Sequence, residues 1–133
     1  MTTDGTVVYL IDDDESVRRA IQRLLQSVGF DVKAFSSGEE FFKGQDLSQR
    51  GCIVLDIRVP GLTGSDLQKK LASERVRIPV IAISAFDDGE TRERARELGA
   101  TAFFRKPVDG QALIDAIDWA VGIAKDRSGA SGS

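Results

Sequence analysis

The chain has 133 residues, of which 41% are hydrophobic and 29% are charged, as expected for one globular domain large enough to bury a core. Its net charge of -3 gives no support for non-specific binding to nucleic acid or to anionic membrane surfaces. The sequence contains no histidine, which excludes a Ser-His-Asp triad, a histidine-ligated zinc and a phosphohistidine step within this chain.

No apolar run approaches the roughly 20 residues that a bilayer-spanning helix needs. Residues 1–5 also lack the basic region and apolar core of a signal peptide. We therefore expect a cytoplasmic protein that does not insert into membranes. Cys52 is the single cysteine and lies within an apolar run, which favours a buried structural thiol over a redox centre.

The first part of the chain alternates short apolar runs with a helical pattern. Residues 7–11 are five consecutive apolar residues, the length of a strand that is buried on both faces. The next segment is an amphipathic helix that Asp14 or Ser16 could cap and Gly29 could end. Residues 30–35 then alternate weakly and predict a second strand. The apolar stripe of the helix recurs at helical spacing: Val17, Ile21, Leu24, Leu25 and Val28.

The alternation continues to the end of the chain, starting with a short helix over residues 37–44. Three further apolar runs predict strands, and the segment after each of them predicts a helix. The charged helix after the fourth strand is most simply a solvated face with ion pairs at i,i+4 spacing. The predicted strands are residues 51–56, 79–84 and 101–105, and the predicted helices are residues 65–74, 87–98 and 109–124.

Five strands that alternate with five helices are typical of an α/β domain with a doubly wound, five-stranded parallel sheet, a (βα)5 fold. We expect this domain to occupy residues 1–125. The small and polar residues of 126–133 predict a flexible tail, either an interdomain linker or an expression remnant.

Chemically reactive side chains follow the predicted strands at the points where the strands end. Asp12 and Asp13 close the first strand, and Asp56 closes the third. Ser84 and Lys106 mark the ends of the fourth and fifth strands. Because ligands bind beyond the carboxyl ends of parallel strands, we expect these side chains to form one site.

The three carboxylates of this site would repel one another. At about 4 Å and an effective dielectric constant of roughly 20, each carboxylate pair costs on the order of 4 kcal/mol, so the cluster must hold a proton or bind a cation. Oxygen ligands favour Mg²⁺ here, with Mn²⁺ as a close substitute.

Four short motifs resemble the receiver domain of bacterial two-component response regulators. They are LIDDDESVR at residues 10–18, LDIRVPGLTG at 55–64, ISA at 83–85 and RKP at 105–107. The resemblance covers roughly residues 7–121, and it is strongest to the FixJ/LuxR-type branch. It implies the flavodoxin-like and CheY-like receiver fold, and a function in phosphorelay signal transduction that controls an output, such as transcription.

The resemblance also implies a role for each residue of the site. Asp56 would accept the phosphoryl group and contribute to the metal site, and Lys106 would pair with Asp56 and then with the phosphoryl oxygen. Asp13 would bind Mg²⁺ directly, Asp12 mostly through metal-bound water, and Arg58 through its backbone carbonyl.

A second set of residues would carry the state of the site to the surface. Ser84 would move toward the phosphoryl group, and Phe103 would turn into the space that Ser84 leaves. The Lys106–Pro107 peptide bond is expected to be cis. We expect Arg58 and Phe86 to flank the phosphoryl group and to shield it partly from water.

The family's partners follow from the same resemblance. A separate sensor histidine kinase would supply the phosphoryl group, and a homodimer could form through the fourth helix, the fifth strand and the fifth helix. DNA would be contacted only through an output domain that this chain does not contain. The domain would not be an enzyme in the usual sense, because it would catalyse only its own phosphorylation and dephosphorylation.

Two alternatives remain open from the sequence. Residues 12–16 approximate the Asp-x-Asp-x-Thr/Val motif of haloacid-dehalogenase-like phosphatases, in which Asp12 would be the nucleophile and Asp14 the general acid. That alternative leaves Asp56 unexplained and lacks an acidic pair after Lys106. The second alternative is a pseudo-receiver, a binding module that has the fold but accepts no phosphoryl group, and the complete set of site residues argues against it.

Overall fold

The computed structural model describes residues 6–43, 51–59, 61, 63–74 and 78–129. Residue 44 of the predicted second helix, Pro60 and Leu62 of the LDIRVPGLTG motif, and residues 130–133 of the predicted tail lie outside this part of the chain. The strands are β1 (Val7–Ile11), β2 (Asp31–Phe35), β3 (Gly51–Asp56), β4 (Val80–Ser84) and β5 (Ala100–Arg105). The helices are α1 (Glu15–Ser27), α2 (Gly38–Phe42), α3 (Gly64–Glu74), α4 (Gly89–Glu97) and α5 (Gly110–Gly129).

All five strands are parallel and form one sheet in the order β2-β1-β3-β4-β5. The predicted doubly wound (βα)5 fold is therefore confirmed. The chain moves outward from β1 to β2 and then returns to the other side of β1 for β3, so the order of winding reverses between β1 and β3. In such sheets a ligand site forms at the carboxyl ends of the strands beside this reversal.

The sheet separates two hydrophobic cores. Every residue of β1, β3 and β4 is buried, and successive side chains of a strand point to opposite faces. In β1, Val7, Tyr9 and Ile11 therefore belong to one core, whereas Val8 and Leu10 belong to the other. Helices α2, α3 and α4 cover the first core, and α1 and α5 cover the second. The helical residues that show this division are Phe41, Leu67 and Ala95 for the first core, and Ile21, Leu25, Leu113 and Ile117 for the second.

The ends of α1 explain one difference from the predicted pattern. Asp14 is the N-cap, and its Oδ1 accepts hydrogen bonds from the backbone N–H groups of Ser16 and Val17 at 3.0 and 3.2 Å. At the other end, Gly29 adopts a φ of 99°, which glycine tolerates far better than other residues. The prediction that Val28 completes the apolar stripe is wrong, because Val28 is the C-cap and 41% of it is exposed.

The last helix is longer than the sequence pattern predicts. Helix α5 extends to Gly129 rather than to Ala124, so the backbone of residues 126–129 is helical instead of beginning a flexible tail. The physical reason is that neither proline nor glycine interrupts the sequence between Ala124 and Gly129.

Two further expectations concern α4 and the single cysteine. The side chains of α4 form exposed ion pairs. Arg94 pairs with Glu90 at 3.8 Å with the predicted i,i+4 spacing, and Arg96 pairs with Glu93 at 3.4 Å with i,i+3 spacing. Cys52 is fully buried in β3, and burial raises the pKa of its thiol to about 12. No helix in the described part of the chain combines the length and apolarity that a bilayer crossing requires.

Two glycines make a matched test of how closely the backbone packs. A Cβ on Gly51 would collide with the carbonyl oxygen of Val7 in the neighbouring strand, whereas a Cβ on Gly89 would meet no atom within 4 Å. We expect Gly51→Ala to lower the free energy of unfolding by about 1–3 kcal/mol. Gly89→Ala should leave it unchanged or raise it by up to about 1 kcal/mol. Urea denaturation measures both values, and equal effects of the two substitutions would contradict this account of the β1–β3 contact.

Candidate functional site

The strand register brings the predicted site residues to one edge of the sheet. Ile11 pairs with Leu55, which places Asp12 beside Asp56 in the neighbouring strand. Ser84 pairs with Arg105, so Lys106 follows immediately beyond β5. The backbone N–H of Lys106 then donates to the carbonyl oxygen of Ser84 at 2.7 Å. The ends of β1, β3, β4 and β5 are thus held together by backbone pairing, and the side chains converge because their strands end together.

Three carboxyl groups form the acidic part of the site. One carboxylate oxygen from each of Asp12, Asp13 and Asp56 lies within 4.8 Å of the others. Asp12 is completely buried and Asp56 is 6% exposed, whereas Asp13 is exposed to solvent. Burial raises the pKa of Asp12, and the nearby charge of Asp56 acts in the same direction. Hydrogen bonds from Asp14 and Lys106 oppose this shift without cancelling it.

Lys106 is the cation that joins the two buried carboxylates. Its Nζ lies 2.8 Å from Asp56 Oδ2 and 2.9 Å from Asp12 Oδ2. Burial of the ammonium group lowers the pKa of Lys106, but hydrogen bonding and charge attraction from Asp56 and Asp12 outweigh it, so the pKa is raised overall. The ammonium group therefore stays charged at neutral pH. The peptide bond between Lys106 and Pro107 is cis, the geometry that the sequence motif led us to expect.

The donor set fits a hard divalent cation. Asp12 Oδ1 and Asp56 Oδ1 each accept a backbone N–H at 2.9 Å, from Asp14 and Arg58 respectively. Among the described residues, the polar contact of the fully buried Asp12 Oδ2 is the ion pair with Lys106, so lone pairs of this oxygen are left unused. Three carboxylates face one ammonium group, so the cluster keeps an excess of negative charge and unused oxygen lone pairs. Oxygen ligands of this kind suit Mg²⁺ or Mn²⁺.

The two predicted switch residues lie on adjacent strands. Ser84 is fully buried, and its Oγ accepts the backbone N–H of Phe86 at 3.0 Å. Phe103 is half-buried, pairs in register with Ala82 and packs against the core that α2, α3 and α4 cover. The geometry brings both residues close to the carboxyl edge of the sheet without itself assigning them a switching role.

Two contacts at the site were not predicted from the sequence. The guanidinium carbon of Arg58 lies 4.3 Å from the centre of the Phe86 ring, a cation–π distance, and 49% of Phe86 is exposed. In addition, Arg18 in α1 donates to the backbone carbonyl oxygen of Asp12 at 2.8 Å. The sequence placed Arg58 and Phe86 at the same site, but the stacking of one on the other was not expected. This stacking and the bond from Arg18 depend on side-chain torsions and not on spacing along the chain.

Comparisons with known proteins agree with this geometry. Residues 8–118 match the family model of the response regulator receiver domain. Response regulator protein TmoT of Ectopseudomonas mendocina is 38% identical over 127 residues, which are 96% of this chain and 58% of TmoT. Transcriptional regulatory protein FixJ of Bradyrhizobium diazoefficiens is 34% identical over 121 residues, which are 91% of this chain and 58% of FixJ.

The structural comparison leads to the same family. The solved structure of the response regulator StyR superposes with a TM-score of 0.81 and 38% sequence identity, and the match covers 96% of this chain and 65% of StyR. The chain spans less than two thirds of the length of these relatives. With the family model, the relatives and the three-dimensional match in agreement, this chain belongs to the response regulator receiver domains of two-component systems.

Proposed function

We propose that this domain accepts a phosphoryl group on Asp56 from a sensor histidine kinase and changes its surface to control an output. The arrangement around the Asp56 carboxyl group carries the proposal. Lys106 Nζ lies 2.8 Å from Asp56 Oδ2, and the backbone nitrogen of Arg58 lies 2.9 Å from Oδ1. One carboxylate oxygen of Asp56 also lies within 4.8 Å of an oxygen of Asp12 and of Asp13. Asp56 is therefore oriented at both oxygens beside a cation site, as an acceptor of a highly charged group needs to be.

In the proposed transfer, one carboxylate oxygen of Asp56 attacks the phosphorus atom of the kinase's phosphohistidine. A phosphorus–oxygen bond forms and the phosphorus–nitrogen bond breaks, so the imidazole nitrogen keeps the electron pair and is protonated from solvent. Mg²⁺ would supply charge neutralisation for the phosphoryl oxygens. Asp12, Asp13, Asp56 and the backbone carbonyl of Arg58 would hold it.

Two groups of the chain would stabilise the transferred phosphoryl group. The ammonium group of Lys106 already touches Asp56 and can donate to a phosphoryl oxygen after a small shift. The hydroxyl group of Ser84 lies at the end of the next strand and can donate to another oxygen once it turns from its contact with Phe86. The Phe103 ring would then turn into the space that the Ser84 hydroxyl leaves, and this turn is the proposed link between the site and the surface.

The phosphatase alternative is less well supported by the geometry. It would use Asp12 as the nucleophile and Asp14 as the general acid. Asp12 is completely buried, so its carboxylate presents no surface that a substrate could reach, whereas part of Asp56 is exposed. Asp14 caps α1, where its carboxylate accepts two backbone N–H groups. The Asp14 carboxylate is therefore engaged at the start of the helix and not in the site, where a general acid would have to act.

The proposed partners extend beyond this chain. The name of FixJ describes a transcriptional regulator, so we propose that the output of this receiver is transcription, through a DNA-binding domain in a longer protein. We also propose a homodimer through α4, β5 and α5, because β5 is an edge strand that, within the described residues, pairs with β4 on one side and with no strand on the other. Cytoplasmic localisation and the absence of turnover on other substrates belong to the same proposal.

The first test locates the phosphoryl group. Incubation with acetyl phosphate and Mg²⁺ should add one phosphoryl group to the wild type and none to Asp56→Asn, as measured by intact-protein mass spectrometry. Borohydride reduction of the acyl phosphate, followed by peptide mapping, then identifies the modified residue. Modification of Asp12 would support the phosphatase, and a wild type that stays unmodified would support the pseudo-receiver.

The second test concerns the metal. Because a ligand that binds only the folded state stabilises it, Mg²⁺ at 100 times its dissociation constant should raise the free energy of unfolding by about 2.7 kcal/mol. Asp13→Asn should remove most of this gain, since it deletes one of the three converging carboxylates. Asp31→Asn is the matched control, because Asp31 is an exposed carboxylate at the start of β2, the opposite edge of the sheet. Urea unfolding with and without Mg²⁺ gives the values, and an equal loss in both variants would count against the site.

The third test concerns shielding of the phosphoryl group. The stack of Arg58 on Phe86 joins two residues whose backbone N–H groups bind Asp56 and Ser84. We expect Arg58→Ala and Phe86→Ala each to shorten the lifetime of the acyl phosphate several-fold by admitting water. The double variant should lose little more than either single variant, because both remove the same stack. Dephosphorylation rates after removal of the donor measure this effect, and unchanged rates in both single variants would disprove shielding.

A further inference from the structure

Arg92 forms a contact that the other arginines of α4 do not share. Its guanidinium carbon lies 5.8 Å from the centre of the Phe103 ring, within cation–π range. Its Nε also donates to Asp87 Oδ1 at 2.5 Å. Arg94 and Arg96 pair with glutamates on α4 itself, whereas the contacts of Arg92 join α4 to the loop before it and to β5. Asp87, Arg92 and Phe103 together are called the Arg92 latch below.

The latch is connected to the buried end of β4 by a short and continuous path. Ser84 Oγ accepts the backbone N–H of Phe86, which fixes the first turn of the loop between β4 and α4. Asp87 is the next residue in that loop and holds Arg92. The path therefore runs from the Ser84 hydroxyl through the Phe86 backbone and Asp87 to the guanidinium group that lies over the Phe103 ring.

We propose that Arg92 is a positioning residue that stabilises the unphosphorylated arrangement of Phe103. The inference rests on the function proposed above, in which the Ser84 hydroxyl turns toward the phosphoryl group. That turn would take away the acceptor of the Phe86 N–H, and the loop that carries Asp87 would then be free to shift. Arg92 would lose its place over the ring, and Phe103 would be free to move.

The direction of the effect follows from linkage. A contact that is present only in the unphosphorylated state raises the free-energy cost of the change that phosphorylation requires. Removal of the contact should therefore strengthen the binding of a phosphoryl mimic. Exposed cation–π contacts and exposed ion pairs are individually weak, so the expected gain in affinity is about two- to fivefold.

The test uses beryllofluoride, a mimic of the phosphoryl group, with Mg²⁺ and the full chain. Its apparent dissociation constant is measured by two-dimensional NMR titration for the wild type, Arg92→Ala and Asp87→Asn. Arg94→Ala is the matched control, because it removes an equally charged residue from the same helix and, in the described part of the chain, breaks the pair with Glu90 without touching Phe103. Arg92→Ala and Asp87→Asn should bind about two- to fivefold more tightly than the wild type, and Arg94→Ala should match the wild type.

Two further measurements separate positioning from a general effect on structure. In the free protein, Arg92→Ala should shift the aromatic NMR signals of Phe103, and Arg94→Ala should not. In a Phe103→Leu background, Arg92→Ala should no longer change the affinity for beryllofluoride, because the ring on which the guanidinium acts is gone. The Arg92 side chain is 64% exposed, so its removal leaves the cores intact.

The outcomes distinguish this inference from the function on which it rests. Wild-type affinity in Arg92→Ala, or an equal gain in Arg94→Ala, overturns the latch and leaves phosphoryl transfer to Asp56 standing. An unchanged effect of Arg92→Ala in the Phe103→Leu background also overturns the latch. A wild type that neither binds beryllofluoride nor takes a phosphoryl group from acetyl phosphate overturns the proposed function, and the latch with it.

Discussion

The ammonium group of Lys106 between two buried carboxylates is the interaction on which the site depends. Asp12 and Asp56 are removed from water at the ends of neighbouring strands, where their mutual repulsion is screened poorly. Buried charges persist in folded proteins when a partner compensates them, and Lys106 is the partner of both. One ammonium group does not neutralise these two carboxylates and that of Asp13, and the remaining negative charge is the reason why the three carboxyl groups suit a divalent cation.

The position of Lys106 depends in turn on the sheet. The strands β1, β3 and β4 are buried on both faces, so the platform beneath the site is closely packed and resists deformation. Movement that follows a chemical event at this edge is therefore expected in the loops that leave the strands and in the side chains of β5, which is only partly buried. The loop between β4 and α4 is the one whose contacts connect the buried Ser84 to exposed residues, through Phe86 and Asp87.

The fold and the converging site residues were predictable because hydrophobic runs determine where strands end. Once Asp12, Asp56 and Lys106 were assigned to ends of parallel strands, their proximity followed from the geometry of a doubly wound sheet. Other features were not predictable. The length of α5 was underestimated because the small and polar composition of residues 126–133 outweighed the lack of an interrupting residue after Ala124. The exposure of Val28 depended on where the last turn of α1 stopped.

Two contacts between an arginine and an aromatic ring could not be predicted from the sequence. Arg58 stacks on Phe86, and Arg92 lies over Phe103, in each case from a different segment of the chain. Neither pair has a periodic spacing, and an arginine near a loop is most simply a solvated residue. Their partners are set by the direction of each side chain after the backbone has folded, which is information that a hydrophobic pattern does not contain.

The separation of the two cores by the sheet has a consequence for how this domain can change over evolutionary time. Residues such as Leu25 and Leu113 lie on one face, and Phe41 and Leu67 lie on the other, with a fully buried layer of strands between them. Substitutions at well-separated positions without shared partners have nearly additive effects on stability. Each face can therefore accumulate compensating changes independently, while the edge where the strands end keeps its geometry. During evolution, the helices on one face could therefore change to fit a new partner while the site at the carboxyl edge of the sheet keeps its arrangement.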